Sequence, residues 1–556
     1  MHHLVPASIA LLLAALPAQD PAARPAPTLP PAPEVAPSQD DLVAQKLRHL
    51  GQQQRVCFDD RAADGNLWAV GTAWKAAFDA RGATVVPFFG SHAPQNFPLR
   101  LELDRATVGG EPLALTDNKP THTDAQVRTD RGSLVEVYDT KLETLEQSFV
   151  FSQLPNRGDV RVEVGIASEL VASEIPGGLR FANEHGHVDY TKAVAVDAKG
   201  ARLDLPIVWT GTTARMTIPA SFVEQAALPL VLDPVLNYLS LIGGAAQTNR
   251  ESDVATFQAN GGRTLMVWKR TWSASDNDCW GVLFDGNLGM MQTDFVIDVT
   301  VIQDWRKIAV ASNNNAQNFL VVSEIRQGTV HWIGGVTVSA SAAVSPVITF
   351  ERDGVVGIPG NNFHPDVGGD PIPASSLYCI VFQKINGSSA DIYMRSVTAA
   401  GVLQSTNPVV VSSQPEVESR PAIAKSCRGV GAGSGFQQWL VAWQSTRLSA
   451  PFDENIGGRY VLFDGSLNGP EFWIAGLRAN ETAPSPGTPI DIGTDRLYPV
   501  AFEVAPAAGQ PRDIHLCLVR WDGGVWVRRT VNNSAASVDD RDPECDSDNN
   551  RIVVGG

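Results

Sequence analysis

Thr264-Leu-Met-Val-Trp268 is the stretch that decides the fold, because it returns along the second half of the chain. The copies read Phe319-Leu-Val-Val-Ser323, Tyr378-Cys-Ile-Val-Phe382, Trp439-Leu-Val-Ala-Trp443 and, more weakly, His515-Leu-Cys-Leu-Val519. Each is an apolar run with a broad ring at one or both ends. Successive copies begin 55, 59, 61 and 76 residues apart. A period near that length with several short strands per period is how radial β-repeats look in sequence. Within the third copy the pattern predicts strands at about 364–369, 377–384, 391–398 and 408–412. His364-Pro365, Arg420-Pro421, Tyr498-Pro499 and Asp542-Pro543 are each expected to open an inner strand, where a proline's missing N–H costs no ladder bond. Five copies are readable, and Arg541 to Gly556 resembles the start of a sixth, with Leu236–Ile242 a candidate to complete it.

The chain has 556 residues, more than one ordinary core. Its 48 Gly and 37 Pro, with abundant Val and Thr, suit short strands and many turns, and no long helical periodicity follows residue 55. The fold class is all-β. A formal charge of −17 argues against a nucleic-acid partner, which needs a basic face. No segment beyond the N-terminus approaches 18 continuous apolar residues, so no membrane-spanning helix is expected. The run Ile9–Leu16, followed by Pro17-Ala18-Gln19, has the length of a signal-peptide h-region, although His2 and His3 stand where Lys or Arg is usual. Cleavage near Ala18 and export to the cell surface, medium or periplasm are expected. Residues 19–55 read as a Pro/Ala-rich spacer with one short helix at 40–52.

Between residues 56 and 234 the signal is period-two alternation, as in Pro98-Leu-Arg-Leu-Glu-Leu103, Val160-Arg-Val-Glu-Val-Gly165 and Ala214-Arg-Met-Thr-Ile218. Such strands have one buried and one solvated face, which suits an antiparallel β-sandwich. Glu136-Val-Tyr-Asp139, Leu142–Phe149, Gly178-Leu-Arg-Phe181 and Leu228-Pro-Leu-Val-Leu-Asp-Pro234 resemble the N-terminal β-sandwich of secreted multidomain bacterial proteins. That domain closes on an Asp-Pro strand and leads into propeller-type repeats. The Asp391-Ile-Tyr-Met-Arg-Ser-Val397 strand with its Ala-Ala-Gly turn likewise resembles a repeat of exported bacterial propellers. The resemblance covers roughly residues 65–234 and carries no catalytic motif; the alternating strands and the count of repeats give an expected sandwich over 56–234 and a propeller of about five or six blades over 235–556.

Glu184-His185-Gly186-His187-Val188-Asp189 is the densest group of possible metal ligands, but a hairpin turn at 183–186 is the reading preferred. Asp276-Asn277-Asp278 and Asp539-Asp540-Arg541-Asp542, with Asp546 and Asp548, lack the spacing of a calcium loop and read as solvated loops. Gly431-Ala-Gly-Ser-Gly435 fails the nucleophile-elbow spacing. Cys279, Cys379 and Cys517 fall in apolar strands, whereas Cys427 and Cys545 are the better candidates for oxidation; Cys57 carries no framework. The repeated rings are expected to pack between blades rather than to stack on sugars. No catalytic, cofactor-binding or metal residue is therefore assigned. The leading reading is an exported non-enzymatic protein that binds a protein or glycan. The alternative is an extracellular glycoside hydrolase or polysaccharide lyase with its site at a propeller mouth. An axial pocket holding two or more carboxylates, or a His with Tyr or Arg, would mark the enzyme; a shallow apolar mouth would mark the binder.

Overall fold

A computed structural model describes residues 53–240, 247–354, 360–369, 376–426, 438–446, 453–476, 479–492, 495–505, 510–532, 539–547 and 551–555. The apolar N-terminal run, most of the spacer, the 40–52 segment, Cys427, Gly431–Gly435 and Asp548 lie outside them. Regular structure among the described residues is nearly all β and the fold is propeller-like.

The first half builds two nine-stranded sheets. In one, Leu99–Val108 pairs with Val160–Ser168, which pairs in turn with Thr213–Ile218. In the other, Leu230–Ser240 is central, between Thr144–Phe151 and Gly186–Val196. Period-two chemistry decides which side each residue takes: Val160, Val162 and Val164 are fully buried while Arg161 is exposed. The two sheets share one core, in which Leu101 and Val162 join Phe149 and Leu232. Leu230–Ser240 runs through Asp233-Pro234 without a break, and the next strand opens at Thr248.

From Thr248 onward the chain repeats a four-stranded antiparallel unit. The units span 248–298, 304–351, 362–412, 417–475 and 480–532, the third and fourth being joined by one parallel pair, Ala390 with Val417. The strand order expected for the third copy is present at Asn362–Gly368, Leu377–Asn386, Ser389–Thr398 and Val409–Ser412. Residues 544–547 and 552–555 add a two-stranded sheet.

The recurring pentapeptide is the second strand of each unit, and its alternation does the packing. Its first, third and fifth residues face the preceding unit, and its second and fourth face the next. Tyr378, Ile380 and Phe382 pack against Leu320 and Val322 of the second unit. Cys379 and Val381 pack against Trp439, Val441 and Trp443 of the fourth. Leu440 and Ala442 meet Tyr498, Val500 and Phe502. Each unit is thus glued to its neighbours by opposite faces of one strand. The rings are core residues: Trp443 is 2% exposed and Trp268 4%.

The fifth copy is a correction. His515–Val519 lies on the third strand of its unit, Asp513–Arg520, whereas the second strand is Asp495–Ala505. The true copy is Tyr498-Pro-Val-Ala-Phe502, which starts 59 residues after Trp439 and restores the spacing. Pro499 disguised it, and for the same reason Tyr498-Pro499 does not open an inner strand. Leu236–Ile242 does not complete the last sheet either, since Leu230–Ser240 is central in the second nine-stranded sheet.

The face of the first unit that has no preceding unit is covered by the N-terminal sheet. Trp268, Trp280 and Val282 pack there against Trp68, Val70, Ala77 and Val86. Asp276-Asn277-Asp278, expected as a solvated loop, is instead buried at this junction, because the strand Asp276–Asp285 begins underneath the sheet. Lys75 Nζ lies 2.7 Å from Asp276 Oδ2 and 2.8 Å from Asp278 Oδ1, with all three side chains at most 1% exposed. Arg270 stacks on Trp280, 3.8 Å from the ring centre. Burial pushes the Asp278 carboxyl up to about 7 against the pull of Lys75, and pushes Asp298 well above the carboxylate range.

Three outcomes are expected. Trp443→Ala should cost about 3–5 kcal/mol and lower the thermal midpoint, because it opens a cavity between two units; an unchanged midpoint would show that the ring is not a packing element. Lys75→Met should cost about 3–5 kcal/mol in denaturant unfolding, because it strands two buried carboxylates. Asp278, with its folded pKa raised, favours the folded state most below about pH 4 and loses that contribution as pH rises through about 7. Asp278→Asn should flatten stability across that window.

Candidate active site

The first strand of every unit carries one residue at positive φ. These are Glu251 (φ 52°), Lys307 (49°), His364 (47°), Arg420 (47°) and Ala483 (50°), and Asp542 (51°) stands in the same place before the last sheet. At the five complete units the ladder shifts there, so that two residues face one on the second strand: Arg250 pairs with Lys269 and Asp253 with Val267, with Trp268 between. The skipped residue is always the fifth of the pentapeptide, Trp268, Ser323, Phe382, Trp443 or Phe502. Where that residue is a serine, Ser323 Oγ takes the Arg306 N–H and donates to the Arg306 carbonyl, mending the ladder. A proline follows the bulge in four of the six, at Pro365, Pro421, Pro484 and Pro543. Bulges bend a strand and re-aim its side chains.

Here they aim them at a common cavity of about 640 Å³. The left-handed residues form its outer ring. Two positions on, about 7 Å along the strand, Asp253, Ala309, Asp366, Ala422, Ser485 and Glu544 form an inner ring. Alternation of acidic with small residues leaves room between the carboxylates. Lys425 Nζ bridges Asp253 Oδ2 (2.9 Å) and Asp366 Oδ1 (2.7 Å). The two aspartates also accept the backbone N–H of Val310 and Ile423, each at 2.8 Å, tying neighbouring first strands together. Burial alone would lower the Lys425 pKa; Asp253 and Asp366 hold it well above the lysine range.

Glu544 is different. Its side chain is exposed on the cavity surface, and among the described residues its one side-chain hydrogen bond is a 3.3 Å one from Ser485 Oγ. Partial desolvation by the cavity, although the residue is exposed at its surface, and then the negative field of Asp253 and of Asp366 push its carboxyl up to about 7, with Lys425 opposing. His364, hydrogen-bonded to Gln383 at 3.1 Å, is lowered by burial and by Lys307 and Arg420, so it is neutral near pH 7. The cavity thus holds a carboxyl with a raised pKa, two carboxylates bridged by Lys425 and a neutral imidazole beside Arg420.

Of the candidate ligand and thiol groups singled out in sequence, Asp542 and Cys545 line the cavity and the other described ones lie elsewhere. Asn183–Gly186 is a hairpin turn, its Asn183 N–H bonding the Gly186 carbonyl at 3.0 Å, and Asp189 pairs with Arg180 at 2.7 Å. Asp539 pairs with Arg541. Cys545, expected as oxidisable, is buried beneath the inner ring with its thiol pushed up to about 12, which leaves it inert. The inner-ring carboxylates went unassigned. The signal available was the triplet at each bulge: His364-Pro-Asp366, Arg420-Pro-Ala422, Ala483-Pro-Ser485 and Asp542-Pro-Glu544.

No family model matches the chain, and no curated protein does. Solved structures that share features with it include an endo-arabinase from Bacteroides thetaiotaomicron VPI-5482, at 10% identity and a TM-score of 0.28 over 50% of this chain and 91% of that one. The catalytic domain of a Coprinopsis cinerea GH62 alpha-L-arabinofuranosidase aligns at 11% identity and 0.28 over 49% and 88%. A fucose-specific lectin from Aleuria aurantia aligns at 12% and 0.31 over 55% and 86%. Scores this low carry no argument about the reaction.

Lys425→Met should lower stability by about 1–3 kcal/mol, because Asp253 and Asp366 lose their common counter-charge. Adding Asp366→Asn should recover part of that loss in thermal unfolding. No change in the single variant would mean that the bridge does not hold the axis together.

Proposed function

We propose that this protein is an extracellular carbohydrate-active enzyme that hydrolyses a glycosidic bond in the axial cavity. The architecture proposed with it is an exported chain with an N-terminal β-sandwich up to about Pro234 and a propeller of six blade positions, five of them four-stranded. The observation that carries the reading is the inner ring: three carboxylates in one cavity, two of them bridged by Lys425 and the third, Glu544, outside the bridge with its carboxyl pushed up to about 7. Separating the titrations of neighbouring carboxyls is how one site supplies an acid and an anion at the same pH. This fits an enzyme better than a non-enzymatic binder, which has no need of a protonated glutamic acid.

In the proposed reaction Glu544 donates its proton to the glycosidic oxygen as the bond to the anomeric carbon breaks. Asp253 and Asp366, bridged by Lys425 and bonded by backbone amides, offset the positive charge that grows on the sugar ring. Each still has a free lone pair, because three hydrogen bonds occupy three of its four acceptor sites. The carboxylate left on Glu544 then takes the proton of the water that attacks the anomeric carbon, which restores the acid.

The test is release of reducing ends from a panel of neutral and acidic polysaccharides. Glu544→Gln should lower kcat by about 10²–10⁴-fold with little change in KM. Activity of the parent protein should fall as pH rises through about 7, as Glu544 loses its proton. Full activity in Glu544→Gln, or an activity that climbs through that window, would remove Glu544 from the role.

A further inference from the structure

The outer ring is electrically lopsided. Three consecutive strands put Lys307, His364 and Arg420 at the same left-handed position, and Arg250 precedes the equivalent residue of the first strand. The three are close enough that Lys307 and Arg420 both act on the titration of His364. Asp542 and Glu251 occupy the opposite side of the ring. Arg250, Lys307 and Arg420 are exposed, and among the described residues none forms an ion pair. Glu251, the carboxylate facing Lys307, is already bonded to Lys269 Nζ at 2.5 Å and to the Lys307 backbone N–H at 2.7 Å. Glu454 feels the charge of Arg420 without an ion pair between them among the described residues. On a chain of net charge −17, exposed cations gathered on one side of a cavity mouth leave donors free for an anion.

Building on the hydrolytic reading, we propose that the substrate is an anionic glycan whose carboxylate or sulfate group is held by Lys307 and Arg420, with Arg250 beside them. A planar guanidinium and an ammonium are the side chains that recognise such groups. The lopsided ring also sets direction: the anion sits over the second to fourth strands, and the bond to be broken lies toward Glu544 on the sixth.

The experiment is calorimetric binding of three probes to the intact protein: trigalacturonate, a sulfated disaccharide from heparin, and neutral galactotriose. The double variant Lys307→Gln/Arg420→Gln is measured beside the parent, at low and at physiological salt. Anionic probes should bind the parent at least about tenfold more tightly than the neutral one, and salt should weaken them. The double variant should lose that preference while keeping its thermal midpoint, because both side chains are exposed. Preference for trigalacturonate identifies a uronate substrate, and preference for the heparin disaccharide a sulfated one. Equal binding of the neutral probe, or an anionic preference that survives the double substitution, overturns the proposal. The two readings fail separately. Anion-dependent binding without cleavage of any glycan leaves this site standing and removes the hydrolase. Cleavage of neutral glycans with no anionic preference does the reverse.

Discussion

One backbone constraint underlies both the packing and the cavity: two residues of each first strand must stand opposite one residue of the second. The ladder accommodates this with a left-handed residue, a conformation that costs free energy for any side chain with a Cβ. Six occurrences at φ 47–52° mean that the surroundings impose it each time. A buried residue on the second strand backs the bulge, and it is a broad ring in four of the five complete units. Carboxylates from the neighbouring unit take the freed amides: Glu251 that of Lys307, Glu324 that of His364, Glu503 that of Asp542. The same residues that glue the units therefore aim the outer and inner rings at the axis.

Much of the fold was legible because period-two burial writes itself into composition. The alternating strands of residues 98–218 and the four strands of the third repeat stand within a few residues of where the sequence puts them. The pentapeptide was legible because both its faces are buried, so five apolar residues in a row survive. Where a proline enters it, at Pro499, the pattern breaks and His515–Val519 reads as the copy in its place. The site was harder to read. Its residues are spaced by about 57 residues, come singly from separate strands, and match no compact motif. The X-Pro pairs were visible, but their meaning depended on the bulge, and a bulge is a property of two strands together. Asp276-Asn277-Asp278 misled for a related reason. Three polar residues signal solvent unless a counter-charge such as Lys75 arrives from a strand two hundred residues earlier.

The two buried charge clusters solve different problems. At the junction, Lys75 neutralises Asp276 and Asp278 where no water reaches, so the pairing fixes how the N-terminal sheet seats on the first unit and the chain from residue 50 onward is one compact unit. At the axis, Lys425 does the same for Asp253 and Asp366 but in contact with the cavity, and it leaves Glu544 outside the bridge. A carboxyl excluded from the pairing, and facing two that are included, is the one that keeps its proton.

Because each ring position is supplied by a different strand, and the bulge rather than the side chain sets its direction, the twelve positions can be rewritten almost independently. Replacing Ala309 or Ala422 by a larger polar residue alters the inner ring without disturbing Asp253, Asp366 or the strands that carry them. The arrangement behaves as a dial with separable settings, on which selection can change what enters the cavity one letter at a time while the scaffold stays as it is.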